Sequence, residues 1–316
     1  MRRILDSLGA RAACIGASII VATWTCTPVA LGAQRAPSAE AYAVRCGASA
    51  VASDGTRYVS LPRGDVFCPL LADPKAMRSF VSYQRGDASD FARNIAAVGI
   101  ADQFAFFRIN GANGDGVQLG VSGAVFAQFD LAAPSIDLLN ADYQIALPLT
   151  MRRGGVSSRV RIYHQSSHLG DELLLRPEPP ERENLSFEAV DGVVSMDVGF
   201  VRVYGGGEHY FGRDPVTLPR SLLHTGFELR PRAMARFGNV VTMRTIGGAD
   251  LKAVKDSDWR VGVNVRAGLE FARPREGEQT GRRWCLLADF YDGPSPYGQF
   301  FTSDIRLVGI GLHFSL

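Results

Sequence analysis

Trp259-Arg260-Val261-Gly262-Val263-Asn264-Val265-Arg266-Ala267-Gly268-Leu269-Glu270-Phe271 alternates without a break. Its odd positions read Trp, Val, Val, Val, Ala, Leu, Phe, and its even positions Arg, Gly, Asn, Arg, Gly, Glu. A period of two over this length describes one extended strand with a wholly apolar face and a polar one. Val117 to Phe129 repeats the pattern, with Val117, Leu119, Val121, Val125, Ala127 and Phe129 set against Gln118, Gly120, Ser122, Ala124, Phe126 and Gln128. From Ala141 to Leu149, Tyr143, Ile145, Leu147 and Leu149 face away from Asp142 and Gln144.

A soluble sandwich alternates too, with its apolar face inward. Three features point instead to a membrane barrel. The alternating segments are long enough for a tilted membrane crossing, against the roughly five or six residues usual in soluble sheets. Aromatic residues recur near segment ends, at Phe129, Tyr143, Tyr163, Trp259, Phe271, Trp284 and Phe290, as an interfacial girdle requires. The chain also ends on an alternating segment, Gly309-Ile310-Gly311-Leu312-His313-Phe314-Ser315-Leu316. Its Gly-x-x-Leu-x-Phe resembles the signal by which barrel-assembly machinery recognises outer-membrane clients, which makes that machinery an expected partner.

The expected fold is therefore all-β, an antiparallel transmembrane β-barrel of about twelve strands. The strands fall near 76–84, 95–109, 117–129, 141–152, 157–167, 183–190, 193–204, 221–230, 239–253, 259–272, 282–291 and 304–316. Gly154-Gly155 and Asp191-Gly192 read as tight periplasmic turns, and 168–182, 205–220 and 292–303 as long external connections.

Ahead of the barrel, Arg2, Arg3 and Arg11 precede or flank a short apolar run ending at Trp24, followed by the small residues Ala30, Gly32 and Ala33. That order predicts a cleaved signal peptide over 1–33. Residues 34–75, rich in Ala, Ser, Gly and Pro, form a periplasmic N-terminal extension or small plug, and 76–316 the barrel. The signal's three arginines against Asp6 account for the whole formal charge of +2. The mature chain is thus near neutral, which argues against a nucleic-acid partner. Cys46, Cys68 and Cys285 remain after cleavage; export allows a Cys46–Cys68 disulfide and leaves Cys285 as a buried thiol.

Reactive side chains concentrate in Arg161-Ile162-Tyr163-His164-Gln165-Ser166-Ser167-His168-Leu169-Gly170-Asp171-Glu172. If the first strand runs outward, this fifth strand ends at the external side. Arg159, Arg161, Tyr163 and Gln165 share the polar, lumenal face, so Val160, Ile162, His164 and Ser166 face lipid. Two residues apart on one strand, His164 and Ser166 point the same way with Cα atoms about 6–7 Å apart. A serine needs a base within reach before it becomes a useful nucleophile.

His-Gln-Ser at the outer end of a strand, on the lipid face, resembles outer-membrane phospholipase A; lipid A deacylase carries a similar His-x-Ser. The resemblance implies an outer-leaflet lipid acyl hydrolase acting on outer-membrane lipids, with Ser166 as nucleophile, His164 as general base and a polar residue on the next strand orienting the histidine. By position Asn184 matches that third residue. Parity assigns Leu185, Phe187 and Ala189 to lipid and turns Asn184 inward, leaving Glu183 as the competing candidate unless a bulge intervenes. His168, Asp171 and Glu172 form a supporting loop whose carboxylates could reach back or, with carbonyls, suit calcium. The resemblance also implies calcium near the serine. The alternative is a barrel without catalysis, acting as a narrow pore or as a structural or adhesive envelope protein. Arg159, Arg161, Arg202, Arg260 and Arg266 with Asp197, Glu228, Asp250, Glu270 and Asp289 are expected to form a lumenal charge network, joined by His224 and His313.

Across the mature chain, the segments 69–74, 135–143, 163–172, 202–206 and 295–300 resemble a bacterial envelope family of unknown function grouped with membrane β-barrels. That likeness implies the barrel and carries no chemistry.

Overall fold

In the computed structural model, residues 57–87, 93–111, 115–238, 241–255, 259–272 and 283–315 are described. The expected signal peptide over 1–33 and Cys46 lie outside them. Among the described residues no helix is long and apolar enough to cross a membrane.

Twelve strands close into an antiparallel ring: β2 (Ser79–Gly86), β3 (Asn94–Asn110), β4 (Gly116–Asp130), β5 (Leu138–Arg153), β6 (Val156–Leu169), β7 (Leu185–Val198), β8 (Val201–Asp214), β9 (Ser221–Leu229), β11 (Val241–Val254), β12 (Arg260–Ala272), β13 (Arg283–Pro294) and β14 (Asp304–Ser315). Each strand pairs with its chain neighbours, and β14 returns to β2 to remove the free edge. Two short strands sit outside the ring: β1 (Tyr58–Ser60) on β3, and β10 (Ala235–Phe237) on β11.

The wall follows the predicted alternation. Tyr143, Ile145, Leu147 and Leu149 are exposed on the outer face, while Asn264, Arg266 and Glu270 are buried in the lumen. Tyr163 is the aromatic that departs from the girdle; it points inward and is buried. Gly154-Gly155 forms the predicted two-residue hairpin turn, with Gly154 at φ +57° as such a turn demands.

One predicted turn is wrong. Asp191-Gly192 lies in mid-strand, β7 runs unbroken to Val198, and the chain reverses at Gly199-Phe200, where Gly199 has φ +59°. The residues read as two strands at 183–190 and 193–204 are one strand and the start of the next. Most of the expected 205–220 loop is the second half of β8, which leaves 215–220 as the connection. The physical reason is electrostatic. Asp191 is buried in the lumen between Arg159 at 2.8 Å and Arg161 at 3.1 Å, a place a solvent-exposed turn residue could not occupy.

The described end of the N-terminal extension lies inside the ring. Val66, Phe67, Cys68, Leu70, Leu71, Ala72 and Asp73 are buried within the barrel. This irregular segment has no sheet partner, so its carbonyls are satisfied by lumenal side chains. Arg152 donates to Val66 O at 3.1 Å, Arg202 to Cys68 O at 3.1 Å, Arg266 to Leu71 O at 3.2 Å and Asn264 to Ala72 O at 2.6 Å. Leu71 N in turn donates to Glu228 at 2.9 Å, and the Arg202 guanidinium lies 4.7 Å from the Phe67 ring centroid. Phe67 and Leu70 pack on Val193 and Tyr204; Leu71 packs on Ile246, Cys285 and Leu287. Burial of each such side chain contributes about 1.5–3 kcal/mol. Cys68 is disulfide-bonded, and Cys285 is free and buried.

Within the expected lumenal network Arg202 pairs with Glu228 and Arg266 with Asp289, while Asp197 pairs with Arg152; His224 and His313 are buried there. Arg260 departs from the expectation. It is an exposed rim residue paired with Asp304, because it begins β12 at the external end. At that end the loop 295–303 folds inward as a roof: Gly298 N donates to Asp142 at 3.2 Å, Gln299 N to Asn140 at 3.2 Å and Gln299 Nε2 to Ser167 O at 2.8 Å.

Asp65, at the entry of the plug, accepts from Gln103 at 2.8 Å and Gln118 at 3.1 Å, and burial pushes its carboxyl up to about 6. A raised carboxyl pKa favours the folded state at low pH, with that contribution lost as pH rises through about 6. Urea unfolding of the refolded barrel between pH 4 and 7 is expected to show this slope, and Asp65→Asn to flatten it.

Candidate active site

The external end of β6 carries His164 and Ser166 on the outer wall. Ile162 and Val160, on the same face below them, are 58 % and 51 % exposed, whereas Tyr163 and Gln165 are buried in the lumen. Register places the neighbours: Ile145, His164 and Glu188 lie side by side on β5, β6 and β7, and Tyr143, Ser166 and Ser186 form the next row outward. Directly opposed side chains across an antiparallel pair approach closely enough to bond. His164 Nδ1 lies 2.9 Å from Glu188 Oε1, with both side chains a little under half exposed.

Glu188 is the residue that the sequence reading missed. The parity that turns Asn184 inward carries Ser186 and Glu188 inward with it. In fact Leu185, Phe187 and Ala189 are the lumenal residues, packed with Tyr163, Ala146 and Leu218 beneath the external loops. The lumen is apolar at this level, so apolar character did not mark the lipid face. A continuous β7 would have exposed the error: Asp191 and Asp197 are both lumenal, and the same parity carries inward through Ala189, Phe187 and Leu185.

The two expected partners do not reach the imidazole. Asn184 is exposed and donates to Asp214 at 2.7 Å; the backbone carbonyl of Glu183 accepts from Gln299 at 3.0 Å. A bulge exists, though on β8 and not at Asn184. The register of β7 with β8 shifts at Glu188/Ala189, which sets Gly212 opposite Glu188. A Cβ at Gly212 would collide with the Glu188 carboxylate, so the glycine provides the room in which that carboxylate sits.

The supporting loop is also arranged differently. His168 is exposed and packs edge-on against Tyr143, with ring centroids 5.8 Å apart. Asp171 and Glu172 open a short helix, α1 (Asp171–Leu174), and point to solvent. Among the described residues, no group of three or more His, Cys, Asp or Glu side chains is placed to hold a metal ion. The loop is fixed instead by Arg176, which bonds Asp137 at 2.7 Å and Asp130 at 3.1 Å. Hydrogen bonds from Ser135 and Arg176 hold the Asp137 carboxyl below its ordinary range.

The arrangement is that of a base with its orienting group. With Nδ1–H donated to Glu188, the imidazole keeps Nε2 as proton acceptor, and the carboxylate can stabilise the imidazolium that would form. Ser166 lies two residues along the same face. Its hydroxyl is not bonded to the imidazole in this structure, so a rotation of the side chain must bring them together.

Residues 23–316 match the family described as a protein of unknown function, DUF1207. The chain belongs to the DUF1207 family. Among solved structures, this DUF1207 barrel is similar to outer membrane phospholipase A from Escherichia coli, at 14 % identity and TM-score 0.50, covering 77 % of this chain and 93 % of that one. It is similar also to the Salmonella typhi outer membrane phospholipase dimer with bound calcium, at 14 % identity and TM-score 0.50, covering 75 % and 89 %. At such identity the likeness establishes a shared outer-membrane-type barrel fold. No curated protein matches the chain.

Proposed function

We propose that this DUF1207 barrel is a serine-dependent lipid acyl hydrolase of the bacterial outer membrane, acting on lipids of the outer leaflet. Ser166 Oγ attacks the ester carbonyl, His164 Nε2 takes its proton and returns it to the leaving alcohol, and water then releases the acyl chain by the same base. Glu188 is the positioning residue, in the place first assigned to Asn184 or Glu183. The observation that supports this reading most is the His164–Glu188 pair at 2.9 Å on the lipid-facing wall, one row from Ser166. A charged residue on that wall adds nothing to a passive barrel. Below the pair, Ile162, Val160 and Val190 offer an apolar surface for an acyl chain.

The rival pore reading is weakened by the plug, whose backbone is bonded to the lumenal wall along its length. The test is fatty-acid release from phospholipid and from lipid A in mixed micelles by the refolded protein, with calcium and with chelator. Glu188→Ala is expected to lower the rate by on the order of 10²–10⁴, with Glu188→Gln recovering part of it through its amide oxygen. Folding should change little, because a carboxylate at the outer end of a strand contributes under about 1 kcal/mol. Absence of release from both lipids by a correctly folded barrel would overturn the proposal.

A further inference from the structure

We propose that the external half of the lumen is a binding site for a small organic cation, an ammonium carried on an apolar or aromatic body. This rests on a cavity separate from the outer wall and stands whether or not the barrel hydrolyses lipid. The cavity, of about 140 Å³, has the plug residues Pro74 and Lys75 on one side and the roof segment 295–298 among its other lining.

Three cations line it, and each is committed. Lys75 is paired with Asp142, Lys252 with Asp73 at 2.9 Å, and Arg161 with Asp191, which Arg159 shares. Two carboxylates, Glu208 and Asp250, line the cavity itself with no lysine or arginine at ion-pair distance; Lys252 interacts with the charge of both, and Arg161 with that of Glu208, only from farther away. Glu208 Oε2 accepts from Tyr163 at 2.6 Å and Tyr210 at 3.2 Å. Asp250 Oδ2 accepts from Tyr204 at 2.8 Å and is paired with His224. Glu208 is 8 % and Asp250 1 % exposed, yet both border the cavity, and the second oxygen of each has no hydrogen-bond partner among the described residues.

A buried carboxylate with half its acceptor capacity unused is costly unless a donor arrives, and a cation satisfies it best. The surrounding rings favour the same charge. Cations already lie over two of them, Arg161 at 4.7 Å from the Tyr163 centroid and Lys75 at 5.5 Å from Tyr297. Phe187, Tyr210 and Tyr291 add further ring surface. Leu218 and Leu222 line the same space and would hold the apolar body.

The probes are phenethylamine and benzyltrimethylammonium, compared with phenylacetate and 2-phenylethanol, titrated calorimetrically into the refolded full-length barrel in non-ionic detergent. The cations are expected to bind saturably, and phenylacetate at least about tenfold more weakly. Glu208→Gln and Asp250→Asn are each expected to weaken cation binding by about tenfold, the worth of one charge-assisted contact. Heat-dependent gel migration checks that the variants have folded, and the comparison of charges on the unaltered protein needs no variant. Equal binding of cation and carboxylate, no saturable binding at millimolar concentration, or full affinity in both folded variants would overturn the proposal.

Discussion

Ser166→Ala is expected to abolish fatty-acid release by the refolded barrel, with a loss of roughly 10³-fold or more in kcat. The size follows from the chemistry. Without Oγ no acyl-enzyme forms, and His164 is left to activate water alone at a position built for a side chain. His164→Ala should cost about as much, and the double variant little more, since base and nucleophile act as one unit. Ser166 is half-buried on the outer wall, and among the described residues its hydroxyl bonds to no side chain. Stability should therefore stay within about 0.5 kcal/mol of the parent. Activity lost with stability retained separates catalysis from a structural role. A Ser166→Ala protein that releases fatty acid at the parent rate would remove the serine from the mechanism.

Asp191→Ala is expected to have the largest effect on stability, about 3–5 kcal/mol. Asp191 is 1 % exposed and is the carboxylate for both Arg159 and Arg161. Removing it leaves two guanidiniums side by side on the lumenal face of β6 with no carboxylate between them. Asp191→Asn should recover part of the loss by keeping an acceptor. The measurement is the urea midpoint of the refolded barrel, followed by tryptophan fluorescence. A shift below about 1 kcal/mol would mean that water reaches the lumen there and solvates the arginines.

Asp191 also marks where sequence reading succeeded and where it failed. The barrel was legible because a membrane wall imposes a period of two on every crossing, as Trp259–Phe271 displays. The outward direction of His164 and Ser166 was legible too, because Arg159 and Arg161 on the same strand declare the lumenal face. One strand later the rule misled. Leu185, Phe187 and Ala189 are apolar and yet lumenal, since this lumen is filled near the outside by Tyr163, Leu218 and the roof. Asp191-Gly192 looked like a turn because turn preference is local, whereas its two arginine partners lie about thirty residues upstream.

The amino-acid sequence alone determined the fold class, the strand pattern and the lipid-facing pair on β6, all properties of spacing within a single segment. Only the tertiary structure decided which residue meets His164, where the extension goes and what the lumen contains. Each depends on register between strands distant in the chain. Glu188 stands beside His164 because the register of β6 with β7 sets it there, and a bulge on β8 brings Gly212 opposite, leaving room for its carboxylate. The plug is held because arginines from four separate strands converge on carbonyls of a segment that has no periodicity of its own.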